Sequence, residues 1–171
     1  FKMYIETRPE GINSTSIELL KKLNVDGIGM GVELSTQSFR EDKLRRFADT
    51  EKIINAFDLL KENNIKRTAY NIIGLPDQDE DSIIETIEFN RRLSPDNVTV
   101  AYYSPYLGTE RQVRGKELGD FNEYEFNVDS TFRSTTKNKK LSSECLDYYK
   151  ENFAKFSSND KLIDKFSELS S

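Results

Sequence analysis

A chain of 171 residues, 36% hydrophobic and 32% charged, is long enough for one domain with its own core and too short for two large ones. No apolar run approaches the length of a membrane span, and the net charge of −5 comes from 25 basic and 30 acidic residues intermixed along the chain, so the basic stripe that nucleic acid demands is missing. A single cysteine, Cys145, and no histidine exclude an internal disulfide, a self-contained cysteine cluster and imidazole chemistry, and fit a reducing compartment such as the cytoplasm.

The elements read as alternating strands and helices. Phe1 to Thr7 is already strand-like, with Met3 to Glu6 as its centre and no signal pattern before it, so the chain is expected to be cut from something longer. Ser14 or Thr15 is the expected cap of a first helix with Ile17, Leu19, Leu20 and Leu23 on one stripe and Lys21 and Lys22 near its end. A second strand, Gly27 to Glu33, leads to a helix capped by Thr50, which turns Ile53, Ile54, Phe57, Leu59 and Leu60 inward and ends at Asn63-Asn64. A third strand, Lys66 to Ile73, precedes a helix opened by Asp79 to Ser82, carried by Ile83, Ile84, Ile87 and Leu93, and stopped at Ser94-Pro95. The fourth strand is Asn97 to Tyr103.

Beyond Gly108 the alternation fades. Thr109 to Leu118 reads as a short helix, Gly119 to Lys140 as a loop, Leu141 to Phe156 as a helix with Cys145, Leu146, Tyr149 and Phe153 near one face, and Lys161 to Leu169 as a last helix before a frayed, serine-rich end. The expected division is therefore a β/α part over residues 1–110 and a loop and helical extension over 111–171. Strands joined by helical crossovers lie parallel, and such sheets place their ligand sites at the C-terminal strand ends. Those ends read Ile5-Glu6-Thr7-Arg8-Pro9, Gly31-Val32-Glu33, Asn71-Ile72-Ile73-Gly74-Leu75-Pro76 and Tyr103-Ser104-Pro105-Tyr106-Leu107-Gly108-Thr109.

On these residues the chain resembles the radical S-adenosylmethionine (SAM) superfamily, most closely the branch whose members often carry a cobalamin-binding domain. The resemblance rests on E-T-R-P, on G-V-E with Arg46 thirteen residues after its glutamate, on G-L-P and on the final P-x-x-G-T, in that order, over about residues 1–110. It implies an α/β fold, the C-terminal portion of a partial (β/α)6 TIM-like barrel with parallel strands, followed by the helical extension. Carried over by position, Glu6 and Glu33 would approach the amino group or ribose of SAM, Arg46 would pair with its carboxylate, and Asn71 would face the ribose. The backbone of Ile73, Gly74 and Leu75 would pass under adenine, Tyr103 would line the last strand, and Ser35 would stand where relatives carry a serine after the glutamate.

The implied intact enzyme uses a [4Fe-4S] cluster and SAM to make a 5′-deoxyadenosyl radical, takes electrons from a donor protein and acts on a small-molecule substrate. The chain departs from the family in carrying Leu34-Ser35 after Glu33, Asp77-Gln78-Asp79 after Pro76, which keeps a helix N-terminus rich in acids without changing the site, and no C-x-x-x-C-x-x-C loop. That loop is expected upstream of Phe1, and the chain alone is expected to be inactive. Two other readings stand beside this one: a non-catalytic barrel module for a nucleotide or a partner, and an ordinary TIM-barrel enzyme for which Gly108-Thr109 would be the phosphate loop. Taken singly, charges such as Glu6, Glu33 and Arg46 more often form surface ion pairs at strand ends, and it is their joint spacing that points to function; Cys145 reads as a small buried hydrophobe.

Overall fold

From Gly27 onward, large apolar side chains at 28, 30 and 32 alternate with glycines at 27, 29 and 31. A strand sends alternate residues to opposite faces, so one face is filled and the other bare. Ile28, Met30 and Val32 are fully buried in the core under the helices. The computed structural model describes residues 1–45, 49–106, 108–120, 137–159 and 163–169, apart from the side chains of Phe39 and Lys43.

The strands are β1 Met3–Thr7, β2 Val25–Glu33, β3 Lys66–Ile73 and β4 Asn97–Tyr102. They form one parallel sheet in the order β1-β2-β3-β4. Between them lie α1 Ser14–Lys22, α2 Gln37–Leu44, α3 Thr50–Glu62 and α4 Glu80–Leu93, followed by α5 Glu110–Glu117, α6 Ser143–Ser157 and α7 Phe166–Leu169. The α/β architecture with parallel strands is the one expected from the sequence.

Several boundaries differ from the sequence reading for local reasons. Asn13, not Ser14 or Thr15, caps α1: its Oδ1 accepts from Ser16 N at 3.0 Å, and Ser16 Oγ accepts from Asn13 N at 2.8 Å. Asp49 caps α3 by accepting from Glu51 N at 3.0 Å, because the Thr50 hydroxyl is taken by Arg40 at 2.7 Å. In α1 only Ile17 and Leu20 are buried, while Leu19 and Leu23 are 54% and 55% exposed. The helix α2 was not expected at all, since its polar sequence has no apolar stripe to read. Of the expected last helix only Phe166–Leu169 is helical among the described residues, and residues 160–162 lie outside them. Most of the expected loop, 121–136, also lies outside them.

Two cores share the helical side of the sheet. One joins α1, α3 and the outer faces of β2 and β3; the other joins α4, β4 and α6. The helix α6 lies against β4 and holds it by polar bonds: Tyr102 donates to Asp147 at 2.5 Å, and Lys150 donates to the Val100 carbonyl with its ammonium 5.6 Å from the Tyr102 ring centre. It occupies the ground that an unprotected edge strand would leave open.

Polar residues also bind the sheet to its helices. Asn71 and Asn90 form a reciprocal amide pair, with Asn71 Nδ2 to Asn90 Oδ1 at 3.1 Å and Asn90 Nδ2 to Asn71 Oδ1 at 2.8 Å, both residues being buried. The Asn71 side chain is therefore spent on α4, and β3 presents Tyr70 and Ile72 to the inner face instead. We expect Asn90→Leu to lower unfolding stability by about 1–3 kcal/mol, because the Asn71 amide is stranded in the core. The double variant Asn71→Leu with Asn90→Leu should recover part of that loss in urea unfolding.

Candidate functional site

The bare inner face of β2 is used by its neighbours. In register, Glu6 lies beside Gly29 and Gly31 lies beside Tyr70. The Tyr70 ring leans across Gly29, and its hydroxyl donates to Glu6 Oε1 at 2.9 Å, bridging two strands on either side of β2. A β-carbon at Gly29 would stand 2.6 Å from the ring and its hydroxyl, so only glycine permits the contact. Burial pushes the Tyr70 hydroxyl up, and Glu6 and Tyr4 add to the shift. It therefore remains a donor, and the Glu6 carboxylate is held facing the strand ends.

Glu33 ends β2 in a strained bend. Its φ is 64°, a region that disfavours residues with a side chain. Leu34 N donates to the Val32 carbonyl at 2.8 Å across it, closing a three-residue turn, and the β2–β3 register slips between Gly31 and Glu33. The carboxylate folds back over Gly31, where a β-carbon would meet Oε1 at 2.6 Å. Strain of this kind costs on the order of 1–3 kcal/mol and gathers at functional sites.

Two adjoining cavities share Glu33 and Tyr70. The first, about 280 Å³, has charged side chains in its wall, Glu6, Arg8, Glu10, Arg40 and Arg45, together with Pro9, Val32 and Ile53. The second, about 490 Å³, is mostly apolar and lined by Leu44, Ile72, Ala101, Tyr103, Pro105 and Tyr106. A ligand with a charged end and a flat apolar end matches this division.

Arg40, which sequence reasoning missed, ties the rim together. Its guanidinium is 1% exposed; Nη1 donates to the Leu34 and Ser35 carbonyls at 2.6 Å each, and Nη2 donates to the Thr50 hydroxyl at 2.7 Å. Burial lowers its pKa, against the opposing pull of Glu41 and Asp49. The expected clamp Arg46 lies outside the described residues. Its neighbour Arg45 pairs with Glu110 at 2.6 Å.

The other expected site residues divide. Tyr103 and Leu75 meet Leu34 in a small cluster at the strand ends. Ile73 is buried among the helices, and its carbonyl accepts from Tyr103 N at 2.7 Å. Gly74 takes a φ of 84°, and its N–H donates to Gln78 Oε1 at 2.7 Å, as does Leu75 N at 3.4 Å. Asp77-Gln78-Asp79 was expected only to start a helix; Gln78 instead turns inward, fully buried, and fixes the Gly74-Leu75 turn. Asn138 clamps the same turn by donating to the Leu75 and Gln78 carbonyls at 2.6 and 2.9 Å. Ser35 is directed to α4: its N–H donates to Thr86 Oγ1 at 3.2 Å and its hydroxyl accepts from Thr86 at 3.4 Å. The Gly108 N–H that a phosphate loop would offer goes to Gln112 Oε1 at 3.2 Å.

Cys145 sits on α6 inside the second core, 5% exposed, its thiol pushed up to about 11 by burial and by Glu80. A cluster needs several accessible thiolates, and among the described residues no three of His, Cys, Asp and Glu are grouped to hold a metal. The residues present thus do not fit a [4Fe-4S] cluster. We expect Gly29→Ala to displace the Tyr70 ring and to destabilise by about 1–3 kcal/mol, more than Tyr70→Phe, which removes only the bond to Glu6. Chemical unfolding of the two variants makes the comparison.

A radical SAM superfamily model matches residues 1–89. Over 97 residues the chain is 31% identical to the probable threonylcarbamoyladenosine tRNA methylthiotransferase of Pyrococcus abyssi, covering 54% of this chain and 23% of that protein. Over 113 residues it is 27% identical to the anaerobic magnesium-protoporphyrin IX monomethyl ester cyclase of Rubrivivax gelatinosus, covering 64% and 20%. The chain therefore spans about a fifth to a quarter of the length of these curated relatives. Coproporphyrinogen III oxidase from Escherichia coli, described as a radical SAM enzyme, superposes with a TM-score of 0.56 at 24% identity over 60% of this chain and 24% of its own. The radical SAM methyltransferase TsrM from Kitasatospora setae superposes with a TM-score of 0.63 at 12% identity over 69% and 22%. These structures share the fold, and with more than half of its length matched by the family model, the chain belongs to the radical SAM superfamily.

Proposed function

We propose that this chain binds SAM along the C-terminal ends of β2 to β4, as part of an enzyme that uses the cofactor for radical chemistry on a small-molecule substrate. The observation that carries the reading is the pair of adjoining cavities, one with charged side chains in its wall and one mostly apolar, that share Glu33. Held by Glu6, Glu33 and the strand-end backbone, SAM would supply radical hydrogen abstraction from substrate once reduced by one electron with methionine as the leaving group.

The chain's own residues bind and orient. Glu33, folded back by its bend, and Glu6, aimed by Tyr70, accept hydrogen bonds from the ammonium and ribose hydroxyls. Arg46 takes the carboxylate bidentately. The missing side chains at Gly29 and Gly31 make room for the Tyr70 ring and the Glu33 carboxylate, which floor the site there. Ile72 and Tyr103 offer the adenine an apolar face, and the turn at Ile73, Gly74 and Leu75 adds to it, its N–H groups at 74 and 75 being engaged by Gln78. Ser35 and Asn71 act behind this surface, anchoring the ends of β2 and β3 to α4.

The same reading includes a cytoplasmic location, supported by the lone buried thiol, and an electron-donor protein as partner. An associated cobalamin-binding domain belongs to it as well, on the likeness of the strand-end motifs to that branch. No described helix is long and apolar enough to cross a membrane.

Calorimetric titration with SAM tests the proposal. Wild type binds, and Glu33→Gln and Arg46→Ala each weaken binding about tenfold, the loss of one charge-assisted contact; unchanged affinity in both would sink the assignment. Reconstitution of the 171-residue chain with iron and sulfide should give no stable cluster, and an oxygen-sensitive absorbance at about one cluster per chain would refute this.

A further inference from the structure

The wall of the mostly apolar cavity holds several polar groups, and most of them are spent on the protein itself. Tyr70 donates to Glu6 at 2.9 Å, Tyr102 to Asp147 at 2.5 Å and the Thr109 hydroxyl to the Tyr106 carbonyl at 2.7 Å. The Asn71 amide is closed in its pair with Asn90, and Arg111 donates to the Asp42 carbonyl at 2.6 Å. At the neighbouring turn the N–H groups of Gly74 and Leu75 go to Gln78. Tyr103 differs from all of these. It lines the cavity and is only 9% exposed, yet its hydroxyl has no hydrogen-bond partner among the described residues, and Arg111 and Asp120 act on it through charge alone.

A hydroxyl on a buried side chain costs free energy unless it finds a partner, and native proteins keep few such groups unpaired. Burial raises the Tyr103 hydroxyl above its ordinary range, with Arg111 opposing the shift and Asp120 adding to it, so the group stays protonated and is a donor. Leu34 and Leu75 pack with the ring and hold it at the strand ends. Thr99 and Tyr106 also line the cavity, but both are solvent-exposed, so water already serves their hydroxyls.

We propose that Tyr103 reads the base of SAM: its hydroxyl donates to a ring nitrogen at the rim of the adenine, while Ile72 and the ring carbons of Tyr103 supply apolar surface. The inference rests on the SAM reading above and adds to it the contact that selects the base. Adenine entering a mostly apolar cavity takes its ring nitrogens out of water, and an acceptor left unpaired there lowers affinity. With the Gly74-Leu75 turn closed by Gln78 and Asn71 closed by Asn90, the Tyr103 hydroxyl is the buried side-chain donor that this wall has to spare among the described residues. A site that hydrogen-bonds its ligand also rejects analogues that lack the matching atom.

The test is a calorimetric titration of the full chain with SAM and with its 1-deaza, 3-deaza and 7-deaza analogues, each of which replaces one ring nitrogen of the adenine by carbon. Wild type should bind one of the three about tenfold more weakly than SAM, and Tyr103→Phe should lose about tenfold for SAM while binding that one analogue as wild type does. Because the hydroxyl bonds no described protein group, Tyr103→Phe should keep the wild-type Tm, which a merely structural role for the hydroxyl would lower. Unchanged SAM affinity in Tyr103→Phe, or an equal loss for SAM and all three analogues, would overturn the inference. If Tyr103→Phe does not fold, the wild-type series still decides: three analogues bound as tightly as SAM would overturn it. A wild-type chain that binds neither SAM nor any analogue would defeat the SAM reading and this inference with it, whereas SAM binding indifferent to Tyr103→Phe defeats the inference alone.

Discussion

The contact on which the site depends is a hydrogen bond that skips a strand. Tyr70 on β3 reaches Glu6 on β1, although adjacent strands are about 4.8 Å apart and β2 lies between. The reach exists because Gly29 has no side chain to block the ring. Three adjoining facts share this origin. The Tyr70 ring lies over Gly29, the Glu6 carboxylate has a fixed direction, and Glu33 can fold back over Gly31 instead of projecting outward. A single alternation of glycine with Ile28, Met30 and Val32 thus fills the core on one face and seats Tyr70 and Glu33 on the other.

Placing polar groups at strand ends is only half of the problem, because loops that carry them must also be held. Here the holding is done by buried side chains that bind backbone. Arg40 grips the carbonyls of Leu34 and Ser35, Gln78 takes the N–H groups of Gly74 and Leu75, and Asn138 takes the carbonyls on the other side of the same turn. Each such bond is worth little in net stability, on the order of 1 kcal/mol. Losing one is costlier, since the partner is then buried without compensation. The rim is therefore rigid where ligand binding requires a fixed surface.

The parallel sheet, the four strands and most helices were legible because period-2 and period-3.6 apolar patterns are properties of sequence alone. Tyr103, Glu6 and Glu33 were legible as strand ends. The facing of β3 was not: Asn71 and Tyr70 are neighbours in sequence, and a shift of one residue exchanges inside for outside. Nor was α2, whose Arg40 lies in a run of polar residues with no apolar period. Gln78 was read as part of a helix start, since an amide that bends back onto the preceding turn leaves the same sequence as one pointing to solvent. The glycine alternation in β2 was available in the sequence and would have exposed the open face, had each glycine been asked which side chain it makes room for.

The division of charge around the strand ends gives the site a direction. The cavity with charged walls gathers Glu6, Glu33 and Arg8 near β1 and β2, and the mostly apolar cavity spreads over β3 and β4. A ligand with a zwitterionic end and an aromatic end cannot reverse in such a site. Turned around, it would set its ammonium against apolar carbon and its rings against carboxylates, and desolvating a charge without a partner costs several kcal/mol. The bend at Glu33 favours this orientation, because it starts the side chain back over Gly31, at the boundary the two cavities share.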